Sequence, residues 1–236
     1  MSVTVPAAGT GRRQLALWLL CAASLMIILD GTIVTVALPS IQRDLRVSAA
    51  NLSWVMNGYL IAFGSLLLLA GRLGDLAGRK RMFLSGLAVF TAASLLCGLS
   101  TGPAMLIAAR FAQGIGGAMV AAVSLGMIVT LFPEPREQAK AIGAFSFVGA
   151  AGASIGLVLG GVLTETIGWH WIFFVNVPIG ILASLSAARV LAADRGTGLR
   201  GGADWLGALA VTAGLMLGVY AIVGTATRPM GTDSLR

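Results

Sequence analysis

Seven stretches of the chain run apolar for about twenty residues: Leu15–Leu38, Leu52–Ala70, Met82–Leu99, Ala104–Phe132, Ala139–Leu163, Trp171–Ala193 and Trp205–Val223. A bilayer core of about 30 Å takes roughly 20 residues of α-helix. These runs are too long and continuous for strands, and their Gly and Ala content suits helices that pack within lipid. The predicted fold class is therefore an all-α membrane protein. Composition points the same way, since 57% of the residues are apolar and 11% charged, against about 25% charged in a soluble domain. A water-soluble fold of this size would lack polar surface. Disorder, collagen, coiled coil and a disulfide-stapled secreted fold are excluded with it. The first run outlasts the h-region of a cleavable signal. Cys21 and Cys97 lie inside apolar runs and read as lipid- or core-facing thiols, not a bridge.

The breaks between runs carry turn and cap chemistry: Pro39, Asn51 with Ser53, Thr101-Gly102-Pro103, Pro133-Glu134-Pro135 and the Gly-rich 195–202. Most basic residues sit there too, so the net charge of +7 describes topology and no nucleic acid partner is expected. With the N-terminus placed inside, Arg12, Arg13, Arg72, Arg79, Lys80, Arg81, Arg136, Lys140, Arg189, Arg195 and Arg200 face the cytoplasm. Arg43, Arg46, Arg228 and Arg236 face outward. That asymmetry predicts a multi-pass inner (plasma) membrane protein with a cytoplasmic N-terminus. Seven spans put the C-terminus outside.

Two charges fall well inside hydrocarbon: Asp30 in the first stretch and Arg110 in the fourth. Intramembrane ionisable residues are costly and usually functional, with a partner. Counting from Pro39 and Pro103 puts them roughly 13 Å and 10 Å from the outer ends of their helices, close enough in depth to meet. One reading is a static ion pair that fixes helix register. The other is a proton site, because burial and a nearby cation act oppositely on a carboxylate's hold on its proton. Arg110 does not release a proton under ordinary conditions, which leaves Asp30 as the carrier at membrane depth.

Two further patterns stand out. The segment from Gly71 to Arg81 holds Gly71, Gly74, Asp75, Gly78 and Arg79; Asp75 and Arg79 pair at i,i+4 if the turn is helical. Gly152, Gly156 and Gly160 recur every four residues with Gly161 beside the last, a small-residue stripe that lets a neighbouring helix approach. It reads either as packing tied to function or as a generic helix contact. Gly114-Ile115-Gly116-Gly117 follows no strand and is no dinucleotide loop. The lone histidine, His170, lies between Trp169 and Trp171 and reads as part of an interfacial aromatic anchor. No metal-ligand cluster and no nucleophile–base set is visible, so neither an enzyme nor a metal or cofactor requirement is expected.

Taken in order, the motifs resemble those of one family. Gly71–Arg81 resembles the signature cytoplasmic loop of the major facilitator superfamily. Leu29–Pro39 resembles the helix 1 motif of its drug:proton antiporters, with Thr35 in place of the usual Asn. Arg110, Gln113, Gly114 and Gly116 match the helix 4 motif, and Trp169–Gly180 resembles the lead-in to helix 6, with His170 where Arg is common. The glycine stripe resembles the helix 5 antiporter motif, except that Leu157 replaces its proline and so removes the expected kink. The resemblance runs from about residue 15 to 223.

That resemblance implies proton-coupled efflux of drugs or amphipathic small molecules, driven by the proton gradient. Asp30 and Arg110 would couple the proton, and the Asp75/Arg79 latch would gate the inner side. The implied domains are a six-helix bundle over 1–193, a cytoplasmic linker over 194–203, and over 204–236 the first of two helices that the fourteen-helix group inserts between its halves, with a polar tail. Partners are then the bilayer, the substrate, the proton, and a missing C-terminal half or a second chain. Alternating access needs two bodies, so one copy is expected to be inactive alone. The alternatives are a natural-product exporter, a solute importer, or a non-transporting membrane interaction module.

Overall fold

The computed structural model describes residues 10–192 together with 194, 196, 207, 210, 213, 214, 216–218 and 221. Five long helices open the chain: α1 (Thr10–Leu45), α2 (Ala49–Ala77), α3 (Arg79–Gly98), α4 (Pro103–Leu131) and α5 (Pro135–Thr166). Two shorter ones, α6 (Trp171–Phe174) and α7 (Asn176–Val190), make a sixth span over Trp171–Val190. Among the described residues these six spans are long and apolar enough to cross a membrane. Most of the seventh stretch and of the 194–203 linker lies outside the described residues.

Several boundaries depart from the sequence expectation. Pro39 does not end the first helix, because α1 continues through it to Leu45. Its ring sits on an exposed face, and membrane helices tolerate the single lost donor. Ser48, not Asn51 or Ser53, caps α2, its hydroxyl accepting from the Asn51 backbone N–H at 3.3 Å. The signature segment is mostly helix, since α2 runs to Ala77 and α3 starts at Arg79. One residue makes the turn: Gly78, at φ 103°, a conformation that side-chain-bearing residues rarely adopt. α5 is unbroken past Leu157, consistent with the absence of the motif proline.

α2 and α3 flank α4, α5 lies along α1, and α7 packs on α3 and α1. Close approach needs glycine where the helices touch: a Cβ on Gly114 would lie 2.5 Å from the Tyr59 carbonyl, and one on Gly116 would lie 2.5 Å from the Phe90 amide. Without a hydrophobic drive between helices in lipid, such contact is what holds them together. Two apolar clusters result. One gathers Leu20, Met26, Phe83, Phe90 and Ile128; the other gathers Ile33, Ile41, Leu106 and Ile172. On α3, α4 and the sixth span, Ser94, Arg110, Gln113 and Asn176 fall between the stretches that feed these two clusters, and on α1 Asp30 lies where the second stretch begins.

Candidate functional site

That intermediate level holds a connected polar group sealed from solvent. Asp30, Ser94, Arg110, Gln113 and Asn176 are each no more than 2% exposed. Arg110 and Gln113, three residues apart on α4, share a face. Arg110 Nη1 donates to Asp30 Oδ2 at 2.5 Å and to Gln113 Oε1 at 2.6 Å, and Nε donates to the Val55 carbonyl at 3.3 Å. Gln113 Nε2 donates to Asp30 Oδ1 at 2.7 Å and to Ser94 Oγ at 2.8 Å. Asn176 Nδ2 donates to the same Oδ1 at 3.0 Å. The guanidinium lies over the Tyr59 ring, 4.3 Å from its centroid, with Phe173 at 5.9 Å.

The structure thus brings Asp30 and Arg110 together and adds Gln113 to them. Four helical spans meet at one carboxylate: α1 supplies it, and α3, α4 and α7 supply its surroundings. Among the described residues Arg110 Nη2 has no hydrogen-bond partner. A desolvated ion pair survives only with good geometry and extra hydrogen bonds; here two amides provide them. Three donors converge on one carboxylate, and one guanidinium faces it as its charged partner.

The signature segment forms a second polar group at the end of the bundle that carries Arg12 and Arg13. Arg79 donates from Nε and Nη2 to Asp75 Oδ1 at 3.1 and 3.0 Å, and from Nη1 to the Gly126 carbonyl and Thr130 Oγ1 at 2.9 and 2.8 Å. It therefore ties the end of α2 to the last turns of α4. Gly74 must be small, since a Cβ there would come within 2.5 Å of Val123 Cγ1; Gly71 has only an ordinary contact with Ala122 at 3.9 Å. Asp194 accepts from the backbone N–H groups of Arg79 and Lys80 at 2.6 and 3.1 Å, capping the positive end of α3. In return Lys80 Nζ donates to the Ala188 and Leu191 carbonyls at 2.8 and 2.6 Å. Arg13 reaches the Leu131 carbonyl at 2.7 Å and Glu137 at 2.8 Å, and Arg12 reaches the Val190 carbonyl at 3.0 Å. These cations cap the ends of α4 and α7.

The helix 5 stripe divides. Gly152, Gly156 and Gly160 face α1, where added Cβ atoms would meet Leu25, Thr32 and the Ile33 backbone respectively. Gly161, grouped with them on sequence, has open space around it: one residue on is about 100° around the helix. His170 stacks on Trp169 at 3.7 Å, and Trp169 Nε1 donates to Asp44 Oδ2 at 2.9 Å. Both cysteines are buried and free.

Sequence reasoning missed Asn176, Ser94, Tyr59 and Asp194 as site residues. Asn176 carried a usable signal, an amide within an apolar run. Serine is too common in membrane helices to stand out, and nothing near Tyr59 in the sequence ties its ring to a charge on α4. Asp194 acts across 115 positions, which no local pattern encodes.

The chain is 45% identical over 210 residues to the puromycin resistance protein pur8 of Streptomyces alboniger, covering 89% of this chain and 42% of that protein. It is 46% identical over 209 residues to the cephamycin export protein CmcT of Amycolatopsis lactamdurans, covering 88% and 43%. A probable actinorhodin transporter of Streptomyces coelicolor is 41% identical, covering 90% and 37%. The chain therefore spans less than half the length of these curated relatives. Among solved structures, a bacterial homolog of the human lysosomal transporter Spinster, inward-facing and unoccupied, matches with a TM-score of 0.65 at 20% identity, over 84% of this chain and 47% of that one; it supports the fold alone. The Major Facilitator Superfamily family model matches residues 20–201, and the chain belongs to that family.

Proposed function

We propose that this chain is the N-terminal portion of a proton-coupled exporter of drug-like or antibiotic small molecules, of the fourteen-helix kind, in the plasma membrane with its N-terminus cytoplasmic. The observation that carries the reading is the sealed carboxylate: Asp30 bonded to Arg110, Gln113 and Asn176, in a chain whose relatives are named for antibiotic resistance and export.

The geometry supports a proton cycle as follows. Ionised Asp30 satisfies three donors and compensates Arg110. A proton arriving at Asp30 cancels that compensation and leaves a cation in a dry interior, worth several kcal/mol of penalty. The bundle then favours a rearranged state in which Arg110, with Nη2 already unpaired, finds other acceptors or water. One pH unit of gradient supplies about 1.4 kcal/mol and a potential of about 100 mV about 2.3 kcal/mol more, so a change of a few kcal/mol at this pair matches the driving force. Asp75 and Arg79 hold α2 to α4 at the gated end in the state described. A second half would complete the transport path and cover faces left bare here, such as those of Phe147 and Val158, 72% and 67% exposed.

The test joins this chain to the remaining part of the puromycin resistance protein and follows puromycin movement in inverted vesicles. Gradient-driven uptake that an uncoupler abolishes, and that Asp30→Asn removes while the protein still inserts, is the expected result. Full activity in Asp30→Asn removes the carboxylate from the mechanism.

A further inference from the structure

We propose that Asn176 is the positioning residue that registers the protonation state of Asp30, its side-chain amide turning over when the carboxyl gains a proton. The inference rests on Asp30 being the proton carrier and deepens that reading.

As an anion, Asp30 accepts from Arg110 at Oδ2 and from Gln113 and Asn176 at Oδ1. When a proton binds Oδ1, one O–H bond forms there and none breaks elsewhere. The new hydroxyl needs an acceptor, yet both of its neighbours present N–H groups. Arg110 carries donors only. Gln113 is locked: its Oε1 accepts from Arg110 Nη1, and its Nε2 also donates to Ser94 Oγ. Turning it would set an NH₂ against the guanidinium. Ser94 is committed as well, donating to the Phe90 carbonyl at 2.8 Å.

Asn176 is different. Among the described residues its side chain makes one hydrogen bond, the one to Asp30. Half a turn about its last torsion replaces Nδ2 by Oδ1 and converts a donor into the acceptor the protonated carboxyl requires. The other titratable or charged groups facing Asp30 are Arg110 from α4, Tyr59 from α2 and Cys97 from α3. Arg110 offers no acceptor, Tyr59 turns its ring face to Arg110 with its hydroxyl against Gly117, and the Cys97 thiol is directed at Gln113 Oε1 at 3.7 Å. Asn176 also opens α7, whose far end is tied to the signature segment through Lys80. A change at Asp30 therefore reaches the helix that ends at that segment.

The sequence makes the test tractable, because the chain has three asparagines, Asn51, Asn57 and Asn176. The full chain is prepared in lipid nanodiscs with ¹³C at the asparagine side-chain carbonyl and acidified under infrared observation. Asn176→Gln and Asp30→Asn serve to assign the bands. The expected result is one transition in which the carboxyl C=O band of Asp30 appears and the Asn176 amide carbonyl band shifts to lower frequency, both absent in Asp30→Asn. Appearance of the carboxyl band with a silent Asn176 amide overturns the inference and leaves the carrier intact. An Asn176 shift that persists in Asp30→Asn also overturns it. No carboxyl band at any pH at which the chain stays folded removes Asp30 as the carrier, and the inference falls with it.

Discussion

A double-mutant cycle on Asp30 and Arg110 probes the sealed pair directly. The two side chains meet at 2.5 Å with neither exposed, so removing one strands the other's charge. Breaking such a pair from one side destabilises by about 3–5 kcal/mol. Asp30→Leu strands a guanidinium that keeps only Gln113, the Val55 carbonyl and the Tyr59 ring as company. Arg110→Met strands a carboxylate that keeps two amide donors, so the aspartate substitution should be the more damaging. The double variant strands no charge; it leaves the amides of Gln113 and Asn176 without their acceptor, a loss of about 1–3 kcal/mol for each. Taking the middle of each range, the two single effects together exceed the double by about 4 kcal/mol, several hundredfold in the unfolding equilibrium constant. The assay is unfolding of the full chain by dodecyl sulfate in mixed micelles, followed by helical circular dichroism. Effects that add to within about 0.5 kcal/mol would mean that the charges are independently solvated, and the argument from desolvation would fail.

Three other outcomes follow from the packing. Gly156→Val, which drives a side chain into Thr32 on α1, lowers stability by about 1–3 kcal/mol in the same assay, while Gly161→Ala, facing open space, lowers it not at all and gains up to about 1 kcal/mol of helix propensity. Arg79→Lys keeps the charge but cannot hold Asp75, Gly126 and Thr130 together; the pair is partly exposed, so the loss is about 0.5–1 kcal/mol, with faster amide exchange at the end of α4. Trp169→Phe removes the Nε1 bond to Asp44 as well as packing in the second cluster; in an Asp44→Ala background the same change costs about 1 kcal/mol less, the share of the hydrogen bond.

Hydropathy alone located the six described spans, because crossing a bilayer core takes about twenty apolar residues of helix. Where the helices end was less legible. Pro39 looked like a stop because a water-soluble helix would break there, but in lipid the backbone has no better option than to continue. The meeting of Asp30 with Arg110 was legible because two charges at one depth in hydrocarbon have few alternatives to each other. Gln113 could be assigned to a motif but not to a bond, since α4 periodicity gives the face and not the partner. Asn176 and Asp194 escaped for a related reason: each is recruited by a helix far away in sequence, and only the packing of α7 on α3 and α1 brings them into place. Gly161 touches nothing among the described residues and lies on the face of α5 that carries Val158, so its role is not legible from the α1 contact that explains the other three glycines.

The central claim is that Asp30 carries the proton that drives export. The sharpest measurement compares two modes of the same chimeric transporter carrying Asp30→Asn: exchange of labelled for unlabelled substrate at equal pH, and uphill accumulation under a pH gradient. If Asp30 is the carrier, exchange persists, since the cavity can still reorient with the charge neutralised, while uphill accumulation disappears. Accumulation that survives with its pH dependence unaltered contradicts the account.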